Sequence, residues 1–356
     1  MTDNSLPNNR SLIQTLIRAL SLIVLLPVVI LMAVIITTPL TLSGLLYFIG
    51  AVAIIVGVWS LAWGYTRLRR VLWLGLGLIV TVAAVRVLLL RNSTKIKLLT
   101  LPEQNALCLI DCLVDEQDAA LVSTRVLPFI GWISPTEQIG LMDAMYAGYQ
   151  AMANTQPLTA SPFARTYLKL QRPGAFDAVI IEPDDNQPPQ IGFIFLHGFT
   201  GNFTMPCWLV AQAVRTNHAL TVCPSVGWKG DWWTPDGEAT LRATIDYLHQ
   251  RGLSRIVLTG LSNGAVGASE LAYKLTSDIA GLILISGASL DAKDSGLPVL
   301  VLAGTYDERM PIEMMRAYAN QMGSHATFVE LPADHFMLAK KVTEIGRDID
   351  SWLRQH

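Results

Sequence analysis

Apolar positions are arranged along this chain in two different ways, and the change falls near residue 95. Before it they run almost unbroken, with no Asp, Glu, Lys or Arg between Arg18 and Arg67. A helix needs roughly 20 apolar residues to cross a bilayer. Ala19–Thr38 and Leu42–Gly64 have that length, and the uncharged Pro39-Leu40-Thr41 between them predicts a tight helical hairpin. A third run, Val71–Leu90, carries Arg86 near its end, a side chain expected to snorkel towards the membrane surface. Three transmembrane helices, near 19–38, 42–64 and 71–90, are therefore expected within a membrane segment 1–95.

From Asp177 onward short apolar runs alternate with amphipathic stretches, the pattern of a parallel sheet covered by helices on both faces. The expected strands are Asp177–Glu182, Gly192–Leu196, Leu220–Pro224, Arg255–Thr259, Gly281–Ser286, Val299–Ala303 and Thr327–Leu331. Helices such as Glu238–Arg251 and Ala265–Leu275 fall between them, as right-handed crossovers require. The stretch between is less regular. Leu109–Leu121 and Pro135–Met152 read as amphipathic helices, and Thr166–Arg172 as the start of the sheet. Residues 96–160 are expected to link or cover, and 161–356 to form an α/β domain.

Composition sharpens the division. Only 15% of residues are charged and the mean hydropathy is +0.41, too apolar for an ordinary soluble protein of 356 residues. Trp59, Trp63, Tyr65 and Trp73 place an aromatic belt around Arg67, Arg69 and Arg70. With Arg10 and Arg18 these basic residues outweigh Arg91, Lys95 and Lys97, which puts the N-terminus inside and the α/β domain outside the cell membrane. Were Val71–Leu90 to lie along the surface instead, two spans would leave that domain in the cytoplasm. The first apolar run is too long for a signal peptide and precedes no small-residue cleavage site, so the anchor is expected to persist.

The net charge of −2, with no basic run in the soluble part, sets aside nucleic acid as a partner. Cys108, Cys112, Cys207 and Cys223 lack paired zinc-ligand spacing, and neither a metal nor a cofactor is expected. Burial as small apolar side chains is the default for all four. A Cys207–Cys223 disulfide is the alternative if the domain faces an oxidising compartment.

The chemistry concentrates at strand ends. Gly260-Leu261-Ser262-Asn263-Gly264 follows one expected strand and opens a helix, the context of a nucleophile elbow. A serine hydroxyl needs a base, and His335 follows the last strand in Leu331-Pro332-Ala333-Asp334-His335-Phe336. The histidine needs an acid, and Asp307 emerges after Val299–Ala303, with Glu308 as fallback and Asp334 too near His335 in sequence to orient its ring. Leu196-His197-Gly198-Phe199-Thr200-Gly201-Asn202 ends another strand in a glycine-bearing loop whose backbone N–H groups could join that of Asn263 around a developing oxyanion. His197 itself is expected to pack or brace the loop.

These four features resemble the α/β-hydrolase family over about residues 160–356, in the chain order Ser, Asp, His. The resemblance implies that Ser262 attacks an acyl carbonyl, His335 shuttles its proton, Asp307 supports His335, and the Phe199 and Asn263 amides form the oxyanion hole. It also implies an esterase or lipase-like activity on a small-molecule or lipid-like ester. A prolyl-oligopeptidase-type peptidase shares the triad order but would bring a gating domain that is not evident, and a non-catalytic binding domain would not need the triad. Two departures stand out. Too few residues separate Ser286 from Val299 for the helical cap that many relatives insert, and Trp228, Trp232 and Trp233 crowd one loop, where they could line an acyl pocket, meet the bilayer or simply pack.

Overall fold

The computed structural model describes residues 27–104, 108–156, 158–183 and 187–356, with 15, 19 and 22 as isolated positions. The chain divides into two compact units, Met1–Leu89 with Gln117–Trp132, and Leu90–Glu116 with Ile133–His356.

In the first unit, α1 (Pro27–Ile36) represents the first expected span, much of which lies outside the described residues. Helices α2 (Leu42–Ala62) and α3 (Arg69–Leu89) form an antiparallel hairpin. α2 and the stretch Thr66–Leu89 that includes α3 are long and apolar enough to cross a membrane. The two helices approach at glycines: an added Cβ at Gly57 would sit 2.6 Å from the Leu72 Cβ, and one at Gly75 would sit 2.7 Å from the Gly50 carbonyl oxygen. Small residues of this kind let helix backbones approach closely.

Arg86 finds its partner at the N-terminal end of α2. It is only 5% exposed, and its Nη1 donates to Ser43 Oγ at 2.9 Å. A guanidinium in an apolar helix pair is held by an acceptor on the neighbouring helix, because leaving it unpaired there is costly. The same end of the hairpin is closed by Asp118 in α4 (Glu116–Val126), whose carboxylate accepts from the backbone N–H of Thr41 at 2.7 Å and from its hydroxyl at 2.6 Å. Thr41 is the N-cap of α2, so the carboxylate also sits favourably at a helix N-terminus.

The second unit is built on an eight-stranded sheet, entered through β1 (Ile96–Leu101), α5 (Pro135–Thr155), α6 (Phe163–Tyr167) and β2 (Phe176–Ile181). It continues with β3 (Ile191–Leu196), α7 (Thr204–Ala213), β4 (Ala219–Pro224), α8 (Pro235–Gln250), β5 (Ile256–Leu261) and α9 (Asn263–Leu271). β6 (Gly281–Ile285), β7 (Val299–Gly304), α10 (Ile312–Met322), β8 (Ala326–Leu331), α11 (Met337–Lys340) and α12 (Val342–Leu353) complete it. The strand order is β1-β2-β4-β3-β5-β6-β7-β8, with β2 antiparallel to both neighbours and the remaining pairs parallel. β3, β6 and β7 are buried along their whole length, which is why they read as continuous apolar runs.

The expected strands appear within about two residues of their predicted bounds, but the start of the sheet differs. Thr166–Arg172 is not a strand: its first residues belong to α6, and the sheet begins at β1, inside the stretch expected to link or cover. Leu109–Leu121 is likewise not one helix, since a short 3-10 turn, Leu109–Cys112, precedes α4. α5 matches its expectation and starts with a capping box, in which Ser134 Oγ accepts from the Glu137 N–H while the Glu137 carboxylate accepts from the Ser134 N–H.

The cysteines split. Cys112 is buried and Cys108 exposed, whereas Cys207 in α7 and Cys223 in β4 form a disulfide in the core. The helix crosses the sheet where both side chains point into the same layer, so the default of four separate thiols fails for this pair.

Candidate active site

Ser262 stands between β5 and α9 with φ 54° and ψ −121°. A non-glycine residue in this region is strained, and it persists only where its surroundings fix it. Here the neighbouring glycines are obligatory for space. A Cβ on Gly264 would lie 1.9 Å from the Leu196 carbonyl oxygen, and one on Gly260 2.4 Å from the Ala265 nitrogen. The turn is also held from the sheet, through the Ser262 N–H to the Ile285 carbonyl at 3.0 Å.

The structure brings the three predicted polar residues into one chain. His335 Nε2 lies 3.0 Å from Ser262 Oγ, and His335 Nδ1 lies 2.8 Å from Asp307 Oδ2. The loop after β7 folds around the carboxylate, so that Asp307 Oδ1 accepts the backbone N–H groups of Arg309 and Met310, both at 2.9 Å. The carboxylate is closed to solvent and the imidazole almost so. Asp334 points elsewhere, to an ion pair with Lys340 at 2.5 Å.

The acid loop has a partner that sequence reasoning missed. Arg309 pairs with Glu137 at the start of α5 at 2.6 Å. Although partial burial opposes ionisation, hydrogen bonds from Arg309 and Ser134 hold the Glu137 carboxyl down to about 2. Ser134 and Glu137 have the spacing of a capping box, but spacing does not reveal the use of Glu137 as a clamp on the loop bearing Asp307.

His197 is fully enclosed and braces the loop that it begins. The Val226 N–H donates to its Nε2 at 3.2 Å, leaving Nδ1–H to donate to the Gly198 carbonyl at 2.9 Å. Burial depresses its pKa to about 4, which keeps the ring neutral. Trp232, also fully buried, donates its indole N–H to the His197 carbonyl at 2.9 Å and meets the ring edge-on. Gly198 brings this loop against the elbow, because a Cβ there would stand 3.1 Å from that of Ser262. Phe199 follows directly, and Asn263 is the first residue of α9, whose early N–H groups have no partner within the helix.

The three tryptophans of the neighbouring loop have separate fates. Trp232 is core, Trp233 is 40% exposed, and Trp228 packs edge-on to Phe199 with ring centroids 5.0 Å apart. The connection 286–298 between β6 and β7 contains no helix. Among the described residues no group of three His, Cys, Asp or Glu side chains is arranged to hold a metal ion.

The strand order, the antiparallel β2 and the elbow after β5 define an α/β-hydrolase-like fold. No family model matches the sequence, and no curated protein matches it. Solved structures do. A lidless α/β serine hydrolase from Xanthomonas campestris aligns at 19% identity and a TM-score of 0.44, covering 52% of this chain and 91% of its own. A thermophilic esterase from Thermogutta terrifontis aligns at 18% and 0.42, covering 51% and 95%. An α/β serine hydrolase homologue from Coxiella burnetii aligns at 22% and 0.41, covering 51% and 92%.

Proposed function

We propose that this chain is a membrane-anchored serine hydrolase that cleaves carboxylic esters. The observation that carries the reading is the continuous hydrogen-bonded chain from Ser262 through His335 to Asp307, with the serine on a strained strand-to-helix turn. Ser262 Oγ attacks the ester carbonyl carbon while His335 Nε2 takes the hydroxyl proton, and the carbonyl π electrons move to oxygen. The Phe199 and Asn263 amides receive that oxyanion, a role whose loss typically costs about 100- to 1000-fold in rate. Collapse of the adduct breaks the C–O bond, and the His335 proton passes to the departing alkoxide. A water molecule, deprotonated by the same imidazole, then hydrolyses the acyl-enzyme. Asp307 keeps Nδ1 protonated throughout and stabilises the imidazolium.

The apolar helices α2 and α3 support anchoring, which would concentrate the site near lipid-like esters. The core Cys207–Cys223 disulfide supports an extracytoplasmic domain, since such bonds persist in oxidising compartments. Hydrolysis of short- and long-chain p-nitrophenyl esters, beside peptide amides, by wild type and Ser262→Ala tests the activity. Ser262-dependent ester turnover and fluorophosphonate labelling are expected; absence of both would overturn the reading, and preferential amide cleavage would redirect it to a peptidase. Protease access to residues beyond 100 in spheroplasts tests the orientation.

A further inference from the structure

The segment Gly198–Gly201 that carries the Phe199 amide is a tight turn. The Gly201 N–H reaches back to the Gly198 carbonyl at 3.4 Å, and its third residue, Thr200, has φ +83°. That is the arrangement of a type II turn, whose third position normally takes glycine or asparagine. A β-branched residue is a poor occupant of this region, so something outside the turn must hold it there. Gly201 follows with φ +94°, giving two left-handed residues in succession.

The restraint comes from α6. Tyr167, its last residue, donates its phenol to the Thr200 carbonyl at 2.9 Å. The ring is fixed in turn: it packs 4.7 Å from Phe163 and lies within 17° of parallel to Trp228, which itself touches Phe199. Thr166 closes the same face, since a Cβ on Gly201 would come within 2.8 Å of its Cγ2.

We propose that Tyr167 is a positioning residue for the oxyanion site: its hydroxyl holds the strained Thr200 peptide, and through it the Phe199 amide, in register with Ser262. This role rests on the ester-hydrolase reading of Ser262. The phenol touches neither substrate nor nucleophile. It acts on the turn, and its loss lets Thr200 relax towards negative φ and draw the Phe199 N–H out of line. Misplacement of about 1 Å in a reacting geometry is enough to cost up to about a hundredfold.

The test uses the full chain in detergent, with p-nitrophenyl ester kinetics and the rate of fluorophosphonate labelling as readouts. Y167F should lower kcat and the labelling rate about tenfold while KM stays within about twofold, because an interaction made only in the transition state is weakened. Its thermal midpoint should stay near that of wild type. T200G in the Y167F background should recover most of the lost kcat, since glycine adopts the turn conformation without restraint. A Y167F protein with wild-type kcat overturns the proposal. So does a kcat loss that merely tracks a fall in thermal midpoint, or one that T200G leaves unrepaired. Failure of the underlying reading is seen separately, in wild type against S262A: with no Ser262-dependent turnover, both the reading and the positioning role fall.

Discussion

Asp307 approaches His335 Nδ1 most closely through Oδ2, at 2.8 Å, while Oδ1, 3.1 Å from the same nitrogen, also accepts two backbone N–H groups from its own loop. The backbone donors on Oδ1 fix the orientation of the carboxylate against the imidazole. In Asp307→Asn the amide oxygen would stay on the Arg309 and Met310 N–H groups, because only an acceptor fits there. The amide NH2 would then face Nδ1, force that nitrogen to accept, and move the imidazole proton to Nε2. A protonated Nε2 is no base for Ser262. The expected result is a kcat lower by about a thousand- to ten-thousand-fold with KM little changed, measured on a p-nitrophenyl ester.

The elbow should fail sterically as well as chemically. Gly264→Ala leaves Ser262, His335 and Asp307 in place in the sequence but drives a methyl group into the Leu196 carbonyl. Relief requires α9 to move away from β3, which displaces the Asn263 amide. Activity should fall more than about a hundredfold, as expected for losing an oxyanion donor, and thermal denaturation should show a lowered midpoint.

Glu116 is a buried carboxylate far from the triad in sequence role. Its oxygens accept from the Thr204 and Met205 backbone N–H groups at 2.7 and 2.9 Å, and from the hydroxyls of Ser161 and Tyr149. Burial raises its pKa while the hydrogen bonds from Ser161, Thr204 and Met205 oppose the rise, and each oxygen already holds two donors. Glu116→Gln would turn an NH2 towards two of them and should destabilise the protein by about 2–4 kcal/mol, read from denaturant unfolding in detergent.

Asp111 gives a pH dependence of stability. Burial and the negative charge of Asp177 push its pKa up to about 8, although Arg165 pulls the other way. With the unfolded value near 4, the folded state holds a proton that the unfolded chain releases. Stability therefore falls as pH rises from about 4 to about 8, the reverse of an ion-paired carboxylate. Asp111→Asn should match wild type near pH 4 and exceed it by at least about 1 kcal/mol at pH 8. Thermal midpoints at the two pH values check this.

The disulfide can be removed without touching the site. Cys207→Ala with Cys223→Ala releases a loop of sequence separation 16, which should cost about 3 kcal/mol. A reductant should lower the unfolding free energy of the wild type by a similar amount and leave the double variant unmoved.

How much of this was readable beforehand depends on the range of the cause. Ser262, Asp307 and His335 each follow an apolar strand, and parallel strands deliver their following loops to one sheet edge, so local patterns sufficed to group them. β1 was hidden because Ile96–Leu101 is an edge strand paired with β2, and nothing local marks such a strand after a long apolar stretch. The disulfide, the Glu137–Arg309 clamp and the Tyr167 tether join positions 16, 172 and 33 residues apart. Such pairings depend on crossover geometry that periodicity does not encode. The Arg86–Ser43 bond is of the same kind, since its acceptor sits on the preceding helix.

The glycine contacts of the α2–α3 pair reach further than packing. With Gly57 against Leu72 and Gly75 against Gly50, the two helices have no room to slide or rotate on one another. Their outward faces, carrying Leu42, Trp73, Leu74, Val80 and Leu88, are thereby locked as one continuous greasy rod. A methyl group added at Gly57 would press on Leu72 and wedge that shared face apart into two separate rods.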